Sequence, residues 1–310
     1  MNKLTEETLK NNKVFQEEWY HSIELLPGVF TNGKKHKNIA LTRALLQGCE
    51  IKGTKCLDVG AQDCLTSMLL ERRAALRVVA QDIQRNDDHI DLLKNVLNAN
   101  FEYLSGCQLS ELRSITKNLS IYPFDIVVFS GVLYHMLDPL TGLALMRGLL
   151  RNGGLFILET SAFVSDSMTA HFNANGQFFS GTNYWQVSLE CLDYMLRLLR
   201  LKPIDLVYFC KKSTKICRIS IVCQAIDHAL AEKNDKWISK IDKSIQFSEL
   251  LDWKELETGL PQLSYYSNRN DLIFRDETES LNIYKTVLDT DPLKIDNANE
   301  QLCLKLDSIF

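Results

Sequence analysis

The sequence predicts an α/β fold on a mostly parallel sheet that closes with an antiparallel pair of strands. Residues 124–129 (Phe-Asp-Ile-Val-Val-Phe) follow Pro123 as a short apolar run, the pattern of a strand buried on both faces. An apolar stretch with helical spacing comes next, with Pro139 near its start, where the missing N–H costs nothing. Asn152-Gly153-Gly154 stops that helix, and 155–158 makes a second buried strand. Two parallel strands need such a crossover. Finally, 204–209 and 216–224 are strand-like and separated only by 210–215, short enough for a hairpin loop.

Taken in order, residues 5–19 read as helical, with charges throughout. Trp19-Tyr20-His21 follows, then turn signals at Leu26-Pro27-Gly28-Val29 and Thr31-Asn32-Gly33. Residues 39–47 again have helical spacing. These parts precede the sheet and are expected to cover its ligand edge as a lid. The predicted division is a lid over 1–50, a sheet domain over 51–225 and an accessory extension over 226–310.

Cys56-Leu57-Asp58-Val59 is the first strand and runs straight into Gly60-Ala61-Gln62-Asp63-Cys64. A helix over 65–74 and a strand over 76–80 follow, closed by Gln81-Asp82. The interval from Asp58 to Asp82 is 24 residues, matching a strand–turn–helix–strand unit with an acid at its second strand end. Gly60 lets the backbone approach a ligand, and Asp82 can accept hydrogen bonds from both ribose hydroxyls. The further glycines of a dinucleotide fingerprint are missing, with Cys64 where the last would fall. A pyrophosphate cradle is therefore disfavoured, and a nucleoside without phosphates stays open.

Helices are expected over 86–99 and 110–119, with a short strand at 101–104 between them. Ligands on open parallel sheets bind at the carboxyl ends of the strands. Ser130, Gly131 and Tyr134 occupy that edge for the 124–129 strand, and Glu159 and Thr160 for the next. Residues 161–180 are polar and read as a long loop, of the kind that is often functional. Asn183-Tyr184-Trp185 then precedes a helix carrying Leu189, Leu192, Met195, Leu196 and Leu199. In the extension, 236–256 and 282–288 are candidate helices and 265–270 is turn-rich. An accessory domain, an oligomerisation arm and a cap over the ligand edge are the open alternatives for it.

At 310 residues the chain can bury a large core. No run of about eighteen apolar residues occurs, so no membrane span is predicted. The polar, acidic start Met-Asn-Lys-Leu-Thr-Glu-Glu argues against a secretory or transit peptide, and a cytoplasmic location is expected. Nine cysteines without Cys-x-x-Cys spacing read as reduced, buried thiols, and no metal site is predicted. Net charge is −4, but the residues from Ala225 onward hold seventeen acidic and ten basic groups. Basic clusters at Lys34-Lys35-His36-Lys37 and from Lys211-Lys212 to Arg218 are either solvated surface or a nucleic-acid footprint.

Leu57-Asp58-Val59-Gly60-Ala61-Gln62-Asp63, with Glu71-Arg72-Arg73-Ala74 and Val78-Val79-Ala80-Gln81-Asp82, resembles class I S-adenosylmethionine-dependent methyltransferases. Gly131-Val132-Leu133-Tyr134-His135, Asp138-Pro139 and Leu158-Glu159-Thr160 are similar to one branch of that family. It holds the tRNA wobble-uridine carboxymethyl transferases and many related small-molecule methyltransferases. Asn183-Tyr184-Trp185 ahead of Cys191-Leu192 also fits it, and the resemblance covers about residues 19–224. It implies a Rossmann-like seven-stranded sheet with an antiparallel last strand, and S-adenosylmethionine as cofactor. It implies roles as well: Gly60 against the methionine part, Asp82 on the ribose diol, Gln62 and Ile83 as further cofactor contacts, and Ser130 and Tyr134 facing the cofactor from the strand end. In the wobble-uridine enzymes the cofactor is carboxylated and held partly by basic groups, for which Lys37 is a candidate here.

Methyl transfer from a sulfonium is an in-line displacement, and alignment supplies most of the help, roughly 7–11 kcal/mol. A base is needed only for a protonated acceptor, and His135 is the candidate. Its alternative role is to cap the helix entrance or pack beside the site. Tyr134 reads as a cofactor contact, Asp58 as structural and Asp63 as an acceptor for loop amides. Glu159 is either a substrate-side carboxylate or a structural one. Tyr184 and Trp185 either line the acceptor pocket or staple the next helix, and Trp19, Tyr20 and His21 either form part of a lid or pack. The expectation is a methyltransferase for a small organic acceptor, favoured by the acidic tail over a polyanionic one. The alternatives are a tRNA wobble-base enzyme and a non-catalytic module that keeps the fold.

Overall fold

The computed structural model describes residues 5–33, 37–165, 167–176, 182–211, 216–227, 251, 253–256 and 260–266. Before the main sheet come α1 (Glu6–Lys10), α2 (Lys13–Gln16), the hairpin strands β1 (Glu24–Leu26) and β2 (Val29–Phe30), and α3 (Lys37–Gln47). The single helix expected over 5–19 is two short ones. Asn12 is extended and its side chain accepts the N–H groups of Val14 and Phe15, so it starts a second helix instead of continuing the first.

The repeating part is β3 (Lys55–Val59), α4 (Leu65–Arg72), β4 (Arg77–Asp82), α5 (Asp87–Leu97), β5 (Glu102–Ser105), α6 (Leu112–Asn118), β6 (Phe124–Ser130), α7 (Pro139–Leu149) and β7 (Leu150–Phe163). Asp138 caps α7 by accepting the Thr141 N–H, and Pro139 occupies its first turn. After β7 come β8 (Ala170–Phe172), β9 (Trp185–Ser188), α8 (Leu189–Leu198), β10 (Leu201–Lys211), β11 (Ile216–Ala225) and the short α9 (Trp253–Leu256).

The strand order is β10-β11-β7-β6-β3-β4-β5. From β7 to β5 every neighbouring pair is parallel. The strand β11 runs antiparallel to both β7 and β10. The mostly parallel sheet with an antiparallel last strand is therefore present, with seven strands along its main path and nine in all, and that last strand lies inside the sheet between β7 and β10.

The expected loop over 161–180 is partly strand. Ser161, Ala162 and Phe163 pair with Arg218, Cys217 and Ile216, so β7 continues for as long as β11 offers a partner. The chain then returns as β8, which pairs with β9, and β9 pairs with the end of β7.

The period-two alternation of β6 divides the core. Val127 and Phe129 face a layer with Leu112 of α6, Leu143 of α7 and Leu192 of α8. Ile126 and Val128 face the opposite layer, with Leu45 of α3, Leu69 of α4 and Leu93 of α5. All four strand residues are fully buried, as a parallel strand between two helical layers requires. Leu9 and Trp19 belong to the second layer, so the leading segment shares the sheet's core. Cys49, Cys56, Cys64, Cys107, Cys191, Cys217 and Cys223 are free thiols, and all but Cys191 are buried.

The described part of the extension lies at the opposite end from the strands' carboxyl edge. Leu263 N–H donates to Gly153 O at 2.8 Å and Tyr266 N–H to Gly48 O at 2.8 Å. Tyr265 Oη donates to Asp205 at 2.6 Å. A cap over the ligand edge is not what residues 260–266 form. Most of the candidate helix at 236–256, all of 282–288 and the end of the turn-rich segment lie outside the described residues. Among the described residues no helix is long and apolar enough to cross a membrane.

Candidate functional site

The loop after β3 carries three left-handed residues: Gly60 (φ 71°), Gln62 (φ 50°) and Cys64 (φ 57°). A Cβ on Gly60 would stand 2.3 Å from Val132 Cγ2, so only glycine lets the loop lie against the segment after β6. Cys64, where a further glycine was expected from the fingerprint, adopts a glycine-like conformation and starts α4. Its thiol is fully buried, and burial pushes its pKa well up.

Asp82 ends β4 and ties two loops together. Its Oδ2 accepts the Gln62 N–H and its Oδ1 the Gln84 N–H, both at 2.8 Å. A carboxylate has about four acceptor positions, so two remain for a ligand. Gln81 beside it donates from Nε2 to Cys107 O at 2.6 Å. Asp58 lies deeper, accepts Ser67 Oγ–H at 2.7 Å, and is pushed up to about 6 by burial.

These loops surround a cavity of about 610 Å³ at the carboxyl ends of β3, β4 and β6. Its lining brings together Gly60, Gln62, Asp82, Ile83, Ser130, Tyr134 and His135. Tyr20 and His21 line it from the leading segment, and Cys107, Gln108 and Leu109 from the loop after β5. The leading segment is clasped to the glycine loop: Asp63 Oδ2 accepts the His21 N–H at 2.7 Å. Trp19 is buried and stacks on His89 with ring centroids 4.4 Å apart, so of the three expected lid residues it packs while the other two reach the cavity.

Glu159, Tyr184 and Trp185 are not among the lining residues. Glu159 is fully buried and pairs with Arg218 at 2.6 Å. Its Oε2 also accepts Ser130 Oγ–H at 3.3 Å. Arg218 Nη2 donates to Tyr134 Oη at 3.3 Å, and its guanidinium lies 4.8 Å from the Tyr134 ring centroid. Burial works against the Arg218 charge, but Glu159 and Tyr134 outweigh it and hold its pKa above the ordinary value. Burial raises the Tyr134 pKa, more than the neighbouring guanidinium lowers it, so the phenol keeps its proton. Arg218 thus leaves the basic surface cluster in which the sequence placed it. Pairing residues from β7 and β11 across 59 positions of chain has no sequence signal.

Tyr184 and Trp185 follow shortly after Thr182, which lines the cavity. Tyr184 N–H donates to Tyr134 O at 2.8 Å, and Trp185 Nε1–H to Leu137 O at 2.8 Å. Thr182 O lies 2.6 Å from His135 Nδ1. The Lys37 side chain lies outside the described residues. Among the described residues no cluster of His, Cys, Asp and Glu could hold a metal ion.

The fold has counterparts among solved structures. The N-terminal domain of EvdMO1, in the presence of S-adenosylhomocysteine and D-fucose, overlays with a TM-score of 0.52 at 16% identity, over 73% of this chain and 99% of that one. The same domain with S-adenosylhomocysteine bound gives 0.51 at 16% identity, over 71% and 96%. Burkholderia thailandensis 1,6-didemethyltoxoflavin-N1-methyltransferase, with 1,6-didemethyltoxoflavin and S-adenosylhomocysteine, gives 0.49 at 19% identity, over 62% and 80%. No family model and no curated protein matches the sequence. The chain shares the Rossmann-like fold of the EvdMO1 domain.

Proposed function

We propose that this protein is an S-adenosylmethionine-dependent methyltransferase for a small organic acceptor. The observation that carries the reading is Asp82. Its carboxylate closes the edge between two loops, spends two acceptor positions on backbone N–H groups and keeps two for a ribose diol. Gly60 packs against Val132, and both line the cavity, so the loop backbone itself can form the wall beside the cofactor. The EvdMO1 domain, whose fold this chain shares, carries S-adenosylhomocysteine. Among the described residues, the acidic and basic side chains lining the cavity, histidines aside, are Asp58 and Asp82. Carboxylates suit a sulfonium cation, which supports the plain cofactor over its carboxylated form and a neutral acceptor over a tRNA.

The cofactor supplies an activated methyl group, so the protein's work is alignment and proton handling. Gly60 and Gln62 would hold the methionine side, Asp82 the ribose, and Ile83 with Leu109 the apolar walls. Ser130 and Tyr134 are fixed by Glu159 and Arg218 and form the floor. His135 stands at the mouth, where an acceptor's proton would be taken by its ring.

Calorimetry with S-adenosylhomocysteine tests the assignment. The folded protein should bind it, and Asp82→Ala should weaken binding more than tenfold. A folded protein that binds none would be the non-catalytic module instead.

A further inference from the structure

The cavity's volume of about 610 Å³ falls within the ~300–1,000 Å³ that one drug-sized ligand occupies. With a nucleoside cofactor inside, the acceptor has to enter at the mouth. His135 and Thr182 line the cavity and are exposed, so they stand at its mouth. The chain that flanks these residues exposes three large apolar side chains. Leu137 is 67% exposed, Phe172 49% and Tyr184 36%.

These residues are held together and do not dangle. Phe172 and Trp185 are register partners in the β8–β9 ladder, with rings 5.1 Å apart in an edge-to-face arrangement. Trp185 Nε1–H donates to Leu137 O at 2.8 Å. Asn173 N–H donates to Tyr184 O at 2.7 Å, and Tyr184 N–H to Tyr134 O at 2.8 Å. The shelf is thus hydrogen-bonded directly to cavity-lining backbone. An exposed apolar group of this kind marks an interaction site, and its continuity with the cavity mouth says for what.

We propose that the acceptor is an extended apolar molecule whose reacting end enters beside His135 while its remote part lies on the shelf of Leu137, Phe172, Tyr184 and Trp185. The inference rests on the methyltransferase reading and adds the substrate class. Apolar contact far from the reacting atom supplies binding that holds the acceptor in line. A short polar acceptor would leave the shelf bare.

The test uses the full chain saturated with S-adenosylhomocysteine, and para-hexylphenol and phenol as probes, followed by calorimetry. Hexylphenol should bind at least tenfold more tightly than phenol. The double variant Leu137→Ser/Phe172→Ser should erase at least fivefold of that advantage, with melting temperature and S-adenosylhomocysteine affinity unchanged. Equal affinity for the two phenols, or an advantage that survives the variant, overturns the acceptor class and leaves the cofactor assignment standing. A shelf filled by residues 267–310 or by a second copy of the chain would give that same negative result. Failure to bind S-adenosylhomocysteine at the outset would remove the methyltransferase reading and the acceptor with it.

Discussion

His135 Nδ1 lies 2.6 Å from the carbonyl oxygen of Thr182. A carbonyl oxygen only accepts, so Nδ1 carries the proton and the neutral ring keeps its lone pair on Nε2. His135 also lines the cavity, so a proton acceptor is held at the mouth in a defined tautomer.

Replacing His135 with Asn keeps an N–H that can reach the Thr182 carbonyl but removes the basic nitrogen. Turnover should fall by about 10²–10⁴-fold, the usual contribution of general base catalysis. Affinity for S-adenosylhomocysteine should stay within twofold. Turnover within threefold of the parent would assign His135 to packing at the mouth.

The parallel core was legible in the sequence because its strands are continuous apolar runs. Val127, Val128 and Phe129 can only sit between two helical layers. The ligand edge was legible for a related reason: Gly60 and Asp82 follow directly on such strands, so local spacing places them at one rim. What was hidden depends on partners distant in sequence. Glu159 could be placed at the edge, but its burial follows from Arg218 on β11. The strand at 161–163 was hidden in the same way, since Ser161 and Ala162 are polar or small and pair only because β11 extends beside them. Tyr184 and Trp185 stood near the acceptor in sequence, yet neither lines the cavity: Trp185 pairs with Phe172 of β8, and Tyr184 immediately precedes that ladder.

The Glu159–Arg218 pair should show the asymmetry of buried ions. Arg218→Met removes an ion-pair partner from a fully buried carboxylate, which costs on the order of 3–5 kcal/mol. Adding Glu159→Gln removes the charge and should return most of the loss. Urea unfolding of the single and double variants checks this. If both were equally destabilised, the pair would matter for packing and not for charge.

Asp58 should make stability depend on pH. Burial raises its pKa from 3.8 to about 6 in the folded protein. The folded state then binds the proton more tightly than the unfolded chain, so this group's contribution is greatest below pH 4 and declines up to about pH 6. The decline is at most about 3 kcal/mol, at ~1.4 kcal/mol per pKa unit. Asp58→Asn keeps an acceptor for the Ser67 hydroxyl and cannot ionise. Its unfolding free energy, compared with the parent's at pH 4 and pH 7, should lack this decline. Parallel curves for the two proteins would mean that Asp58 is ionised at no cost.

Gly60 combines two constraints that substitutions can separate. Gly60→Ala places a Cβ 2.3 Å from Val132 Cγ2 and also forces a non-glycine residue into φ 71°. Val132→Ala in the same chain removes the clash but leaves the backbone cost, about 1–2 kcal/mol. The double variant should therefore recover most of the melting temperature lost by Gly60→Ala. Affinity for S-adenosylhomocysteine should remain below that of Val132→Ala alone, because Gly60 lines the cavity and the backbone cost of a non-glycine residue at φ 71° falls on the loop that forms its wall. Full recovery of both quantities would mean that Gly60 serves loop packing only, and that the ligand does not approach the backbone at this position.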